Sequence, residues 1–182
     1  MENPGCVTFR DPLVFGPQVI RSRRTTRAIT IAHEMAHQWF GNLVTPRWWD
    51  DLWLNESFAE YMGNRVTAEV TEFDDAWVLT SFDRKQWGLI DDQRPSTHPV
   101  AGNGAEDAAT ALSNFDGISY TKGAALLKQL ASRVGDEVFF AGVRVDERAG
   151  GFLLPDDRGA ELRVALLRDR GGEDARVAMA SP

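Results

Sequence analysis

Apolar residues recur at helical spacing through the first 143 positions of the chain. Helices are predicted at about Thr26–Phe40, Leu54–Val70, Asp74–Trp87, Tyr120–Arg133 and Asp136–Ala141. Thr25 or Thr26 is expected to cap the first helix, Gly41 to end it, and Gly135 to end the fourth. The region up to Phe15 has the pattern of a loop or an edge strand, and a loop rich in Pro, Gly and Asn is predicted at Arg94 to Asn103. The pattern predicts a mainly α protein with little β structure.

The first predicted helix is apolar on nearly every side. Its histidine face repeats Ile29, Ala32, Ala36 and Phe40, and its other faces carry Ile31, Met35 and Trp39. A helix that is apolar all round is expected to be buried. All six tryptophans fall between Trp39 and Trp87, so the densest core is expected in the first half of the chain.

This helix also carries His33, Glu34 and His37. Residues four apart lie one turn above each other, so both imidazoles can converge on one ion. Glu34 is displaced around the helix, where it could take a proton from a water molecule activated by the metal. A catalytic zinc takes three protein ligands, and Glu56 at the start of the next helix is a carboxylate at suitable spacing. The sequence therefore predicts one zinc ion held by His33, His37 and Glu56.

Other polar residues near this motif have less specific interpretations. His98 is predicted to bind nearby backbone in its loop rather than a metal. Asp50 and Asp51 could orient a ligand imidazole, and a role in a turn or helix start is equally compatible with the sequence. Glu60, one turn after Glu56, is expected to be a solvated helix residue.

The overall charge argues against two classes of partner. The formal net charge is −7 and the pI is near 5.0, whereas nucleic acid or an anionic membrane surface would need a basic patch. The one basic cluster, Arg21 to Arg27, is interpreted as a solvated approach to the first helix. Cys6 is the only cysteine, and the start of the chain shows no signal peptide. These features predict a cytoplasmic protein that binds neither nucleic acid nor membrane.

The composition changes near Arg144. Residues 144–182 contain seven arginines, no lysine and Phe152 as their only aromatic residue. Such a segment can bury little apolar surface, so a divergent, loosely ordered tail is expected. The predicted organisation is one domain at 1–143 and this tail at 144–182. The abrupt change also suggests a truncated or frame-shifted gene product.

Two long stretches of the sequence resemble a known family. They are His33-Glu-Met-Ala-His-Gln-Trp-Phe-Gly-Asn-Leu-Val-Thr45 and Trp48-Trp-Asp-Asp-Leu-Trp-Leu-Asn-Glu-Ser-Phe-Ala-Glu-Tyr61. Both are similar to the aminopeptidase N-like gluzincin metallopeptidases. Met1-Glu-Asn3 resembles the end of that family's Gly-Ala-Met-Glu-Asn motif, and Gly117–Ala124 resembles its catalytic-tyrosine segment. The resemblance implies the helical part of a thermolysin-like (zincin) catalytic domain.

The resemblance also implies an activity and further site residues. The activity is zinc-dependent release of amino-terminal residues from peptides that have a free N-terminus. Glu2 would bind the α-ammonium of the substrate, and Tyr120 would donate a hydrogen bond to the oxyanion. Two alternatives are a non-catalytic fragment that binds zinc but lacks a complete cleft, and an endopeptidase with the same zinc site. An anion at Glu2 argues against the endopeptidase, because it closes the cleft to longer chains.

Overall fold

The structure is a computed structural model that describes residues 1–46 and 48–143. Within these ranges it is helical and forms no strand, and its only β-type pairing is an isolated bridge between Phe40 and Val44. The predicted mainly α fold is therefore confirmed. The loosely ordered tail predicted for residues 144–182 lies outside the described residues.

Seven α-helices follow one another in the described part of the chain. They are α1 (Arg21–Ala36), α2 (Trp53–Val70), α3 (Ala76–Phe82), α4 (Arg84–Asp92), α5 (Ala108–Ser113), α6 (Gly123–Val134) and α7 (Asp136–Val143). Two short 3-10 turns lie at Asp11–Leu13 and Trp49–Asp51, and a π-helical turn at Ile118–Lys122 leads into α6.

Both predicted ends of α1 are wrong: the helix ends at Ala36 and not at Gly41, because the chain turns from residue 37 onward. The helix begins at Arg21, and the residue before it, Ile20, makes no side-chain cap. Thr25 and Thr26 therefore lie inside the helix, where their hydroxyls donate to the carbonyls one turn earlier at 3.1 and 3.0 Å. Arginine is a good helix former, so the basic run that looked like an approach to the helix extends it instead.

The middle of the chain shows two more differences. The helix predicted at Asp74–Trp87 is divided into α3 and α4 at Asp83. The φ and ψ angles of Asp83 are −107° and −69°. The short helix α5 was not predicted, and Asp107 caps it by accepting a hydrogen bond from the Thr110 amide at 2.8 Å. By contrast, α2 starts within one residue of its prediction, and Gly135 ends α6 with φ +82° as expected.

The hydrophobic core lies between α2, α6 and α7, with the end of α1 packed on it. Its buried members are Phe40, Phe58, Tyr61, Ala124, Leu127, Leu130, Ala131, Phe139 and Val143. Six of these nine residues belong to α6 and α7, so the expectation that the densest core lies in the first half of the chain is wrong. Trp53 is the one buried tryptophan of the six. Trp39, Trp48 and Trp49 are exposed.

Helix α1 is buried on one side only, which corrects the prediction that it is buried all round. Gly63 of α2 faces it so closely that a methyl group there would lie 3.0 Å from the Ile29 carbonyl oxygen and 3.1 Å from His33 Cβ. On the other side a row of apolar side chains is solvent-exposed: Ile31, Met35, Trp39 and Leu43, hereafter the exposed apolar row. The apolar pattern of the sequence does not specify which face of α1 is covered by the rest of the described chain.

Candidate metal centre

His33 of α1 and His37, which caps the C-terminal end of α1, meet Glu56 of α2 at a small triangle of donor atoms. The two imidazole Nε2 atoms are 3.0 Å apart, and Glu56 Oε2 lies 3.3 Å from His33 Nε2 and 3.2 Å from His37 Nε2. All three residues are buried. The close approach of α2 at Gly63 permits this arrangement, because it brings the first turn of α2 and the last turn of α1 together. The three predicted ligands are therefore neighbours in the structure.

Within the triangle, the buried His37 and Glu56 favour each other's charged form. Burial by itself disfavours a charged His37, but the contact with Glu56 and its charge outweigh burial and raise the pKa of His37 to about 9. Burial likewise opposes ionisation of Glu56, and the contacts with both imidazoles outweigh it and lower the pKa of Glu56 to about 2. A metal cation here would take over the charge compensation that the His37 proton provides.

The donor set fits a zinc ion. Ligand bonds of about 2.1 Å at tetrahedral angles place donor atoms about 3.4 Å apart, close to the separations found here. Glu56 Oε2 is fully buried and receives no well-directed hydrogen bond among the described residues. A buried carboxylate oxygen without such a partner is costly unless a cation satisfies it. Two imidazoles and one carboxylate leave the fourth position of a zinc site open.

The orientation of His37 is fixed by two acceptors behind the ring. Its Nδ1 atom lies 3.1 Å from the Phe40 carbonyl oxygen and 3.1 Å from Asn55 Oδ1. Because both partners accept hydrogen bonds, Nδ1 carries a hydrogen, and in the neutral ring Nε2 presents its lone pair to the triangle. Histidine ligands of metals are commonly held in this way from their second nitrogen.

Glu60 supports the other imidazole, which corrects its prediction as a solvated residue. Its side chain is buried, and Oε2 lies 3.6 Å from His33 Nδ1. Arg84 of α4 binds the same carboxylate with two hydrogen bonds, of 3.0 and 2.8 Å. The sequence held one usable signal, because Glu60 follows Glu56 by one helical turn and so shares its face. The Arg84 partner has no signal in the sequence.

Two further predictions concern the surrounding polar residues. Asp50 and Asp51 lie in the 3-10 turn before α2, which agrees with a turn role. The second ring nitrogen of His37 faces Asn55, and that of His33 faces Glu60. His98 binds the Pro99 carbonyl oxygen at 2.8 Å, which confirms the expected backbone contact. It also lies 3.1 Å from Asp116 Oδ2.

Glu34 and Glu2 lie next to the triangle. A carboxylate oxygen of each, together with a ring nitrogen of His37, lies within 4.8 Å of the others. The amino group of Met1 is 2.8 Å from Glu34 Oε2 and 3.9 Å from Glu2 Oε2, so an ammonium fits within reach of both carboxylates. The structure thus brings Glu2 to the site, although thirty residues lie between it and His33 in the sequence.

Tyr120 reaches the site from the π-helical turn. Asp116 Oδ1 accepts hydrogen bonds from the amides of Ile118 and Ser119 at 2.9 and 3.1 Å, and Ser57 of α2 donates to the Ser119 carbonyl oxygen at 2.6 Å. These bonds hold the turn so that the Tyr120 ring stacks on His33, with centroids 6.1 Å apart. Burial, and then the charge of Glu56, raise the pKa of Tyr120 above its usual range, so its hydroxyl keeps its proton.

A cleft of about 280 Å³ opens beside these groups. His33, Glu34, Arg84 and Tyr120 line the end next to the triangle, and Thr26 and Thr30 of α1 line the part toward the start of that helix. Polar donors and acceptors therefore surround a cavity large enough for part of a peptide.

A helix with two histidines and an intervening glutamate, joined by a glutamate from the next helix, is the arrangement of a metallopeptidase domain. Residues 1–145 match the Peptidase family M1 domain, and the chain belongs to that family.

Individual relatives agree with this assignment. The chain is 48% identical to aminopeptidase N of Streptomyces lividans over 146 residues, which are 79% of this chain and 17% of that protein. It is 40% identical to leucyl aminopeptidase of Saccharolobus solfataricus over 144 residues, 79% of this chain and 18% of that protein. Endoplasmic reticulum aminopeptidase 2 of Bos taurus is 34% identical over an alignment covering 93% of this chain and 20% of that protein. The chain thus spans a fifth or less of the length of these curated relatives.

In the described part of the chain, no helix combines the length and apolar character required to cross a bilayer.

Proposed function

We propose that this chain carries the catalytic centre of a zinc-dependent aminopeptidase that releases amino-terminal residues from peptides with a free N-terminus. The observation that carries the proposal is the buried triangle of His33, His37 and Glu56, with Glu34 and Glu2 beside it. Residues 1–143 are interpreted as part of a larger gluzincin catalytic domain. A cytoplasmic location, and the absence of nucleic-acid and membrane partners, stay predictions from the sequence.

His33, His37 and Glu56 would hold one zinc ion. When bound, zinc supplies a Lewis acid that lowers the pKa of water and polarises the scissile carbonyl. Asn55 keeps the Nε2 lone pair of His37 directed at the ion site, and Glu60 with Arg84 holds His33. The protein thus fixes both imidazoles from behind before any substrate is bound.

Glu34 is the proposed general base. Its carboxylate is mostly buried, with 14% of its side chain exposed, and it lines the end of the cleft next to His37. From there it can accept a proton from the attacking water and deliver it to the leaving amine.

Glu2 and Tyr120 have complementary roles at the amino-terminal residue of the substrate. The Glu2 carboxylate pairs with the α-ammonium of the substrate and thereby favours release of a single residue. The Tyr120 hydroxyl, which stays protonated, donates a hydrogen bond to the oxyanion that forms on the carbonyl.

A second candidate function is that of a fragment that binds zinc without turnover. The exposed apolar row on α1 favours it, because contiguous apolar surface of this kind is usually covered in a complete domain.

One experiment separates these candidates. The purified chain is assayed for zinc content and for hydrolysis of alanyl-arylamide, with Glu34→Gln as the matched variant that keeps size and hydrogen bonding but loses the base. We expect one zinc per chain in both proteins and a fall in kcat of about 10²–10⁴ for the variant. One zinc per chain without turnover in the unaltered protein would support the fragment. Equal cleavage of amino-blocked peptides would instead identify an endopeptidase.

A further inference from the structure

The backbone carbonyl of Glu2 is held by two side-chain amides. Asn42 Nδ2 donates to it at 2.6 Å and Gln38 Nε2 donates to it at 3.2 Å. All three residues are partly buried. Two donors on one carbonyl oxygen use both of its lone pairs, so the peptide plane at Glu2 has a defined direction.

Both donors belong to the same rigid unit as the metal centre. Gln38 lies in the turn that directly follows α1, two residues after the last helical residue, Ala36. Asn42 lies in the turn after the helix, where its backbone N–H donates to the His37 carbonyl oxygen at 3.1 Å. The Gly41 amide closes this turn by donating to the Val44 carbonyl oxygen at 2.8 Å.

The segment that carries Glu2 depends on these amides for its place. Residues 1–8 fold on themselves through hydrogen bonds from the Cys6 amide to Asn3 and from the Thr8 amide to Met1, both of 3.0 Å. Among the described residues, this segment is hydrogen-bonded to α1 and its following turn at two places, the Glu2 carbonyl oxygen and the Met1 amino group. No helix or strand fixes the segment.

We propose that Gln38 and Asn42 are positioning residues that set the distance between the Glu2 carboxylate and the base Glu34. This inference rests on the proposed function, in which Glu2 binds the α-ammonium of the substrate. Because α1 carries Glu34 and the turn that follows it carries the two amides, this one continuous segment fixes how far the ammonium lies from the attacked carbonyl. That distance selects cleavage after one residue.

Binding of two hydroxamates tests the inference without requiring turnover. Alanine hydroxamate offers a zinc-binding group and an α-ammonium, and propionohydroxamate offers the same zinc-binding group without the ammonium. The ratio of their Kd values, measured by isothermal titration calorimetry on the zinc-loaded chain, isolates recognition of the ammonium. The variants are Asn42→Leu and Gln38→Met, which remove the amides at similar volume. Asn3→Ala is the control, because Asn3 lies in the same segment and its side chain bonds Thr8 instead.

We expect each variant to lower the preference for alanine hydroxamate about ten-fold, the loss associated with one hydrogen bond to a positioned group. Zinc content and propionohydroxamate affinity should stay unchanged, and Asn3→Ala should behave like the unaltered chain. In a Glu2→Gln background the same substitutions should have no further effect, because their action passes through Glu2.

Three results would overturn the inference. A preference that persists in both variants, or that falls equally in the Glu2→Gln background, contradicts positioning while leaving the proposed function intact. Equal affinities for the two hydroxamates in the unaltered chain remove the ammonium role of Glu2, and the inference with it. Failure of both hydroxamates to bind the zinc-loaded chain contradicts the proposed function itself.

Discussion

His37 Nδ1 lies 3.1 Å from Oδ1 of Asn55, the residue that immediately precedes Glu56. One turn of α2 therefore supplies both a metal-ligand candidate and the group that orients another ligand candidate on α1. Neighbouring residues of a helix point in different directions, so Asn55 reaches the back of the imidazole while Glu56 reaches its front.

Replacement of Asn55 tests this arrangement. Asn55→Ala should weaken zinc binding about 10- to 100-fold, the usual effect of losing such a partner, because the His37 ring loses one of its two anchors. Competition with a chromophoric chelator measures the affinity. Asn55→Asp keeps an acceptor at this position and should retain most of the affinity. Equal zinc affinity in Asn55→Ala and the unaltered chain would contradict the role.

The lack of a side chain at Gly41 leaves room for the same contact between Asn55 and His37. A methyl group at this position would collide with the Asn55 side-chain amide, and the backbone there has φ +117°. Gly41→Ala should therefore displace Asn55 and lower zinc affinity. Gly102→Ala is the matched control, because Gly102 also has positive φ, +63°, but faces open space. Zinc affinity lowered equally by both substitutions would indicate backbone strain rather than displacement of Asn55.

Tyr120→Phe should reduce turnover and leave the metal site unchanged. Loss of one oxyanion donor typically lowers kcat by about 10²–10³, while KM and zinc content depend on other groups. Tyr61, the only other tyrosine, provides the comparison: it lies in the core and accepts a hydrogen bond from Arg65 at 2.8 Å. Tyr61→Phe should retain kcat. A KM effect without a kcat effect for Tyr120→Phe would argue against an oxyanion role.

The stability that the ion pair between Arg65 of α2 and Asp136 of α7 contributes should depend on pH. Arg65 makes hydrogen bonds of 2.7 and 2.5 Å to the two oxygens of Asp136, and this contact lowers the pKa of Asp136. Because the folded state favours the ionised form of Asp136, the contact stabilises the fold fully at pH values above the ordinary pKa of 3.8. This stabilisation is lost as the pH falls through the lowered pKa of the folded state. Asp136→Asn should therefore lower Tm near pH 7, with the difference from the unaltered chain shrinking in acid. Thermal melts across this range, followed by circular dichroism, provide the measurement, and a difference in Tm that grows toward low pH would contradict the assignment.

The exposed apolar row should be visible to a hydrophobic dye. Met35 and Trp39 are 63% and 42% exposed, so replacing both with lysine should lower the fluorescence of bound anilinonaphthalene sulfonate. Tm should change little, because surface substitutions usually alter stability by about 0.5 kcal/mol or less. Leu112→Lys, at a 66% exposed position outside the row, is the control. Unchanged fluorescence in the double variant would show that the row is covered in solution.

Local signals explain why part of the fold was predictable. The α2 helix and the Gly135 terminator were predicted because their apolar period and turn residue lie within the segment itself. The start of α1 and the break at Asp83 were not, because helix propensity is weak and tertiary packing decides where a helix begins or is interrupted. The place of the densest core was mispredicted from the tryptophans for the same reason, since a large apolar side chain does not specify its partner.

The sequence by itself determined that His33 and His37 share one face of a helix, since four-residue spacing is a property of the α-helix. It also marked Glu34 and Glu56 as candidates, and the resemblance added Glu2 and Tyr120. Only the tertiary structure decided that Glu56 meets both imidazoles, that Glu60 is buried against His33 and Arg84, and that Asn42 holds Glu2. These contacts join residues from separate elements, and their distances follow from how the helices pack rather than from any local pattern.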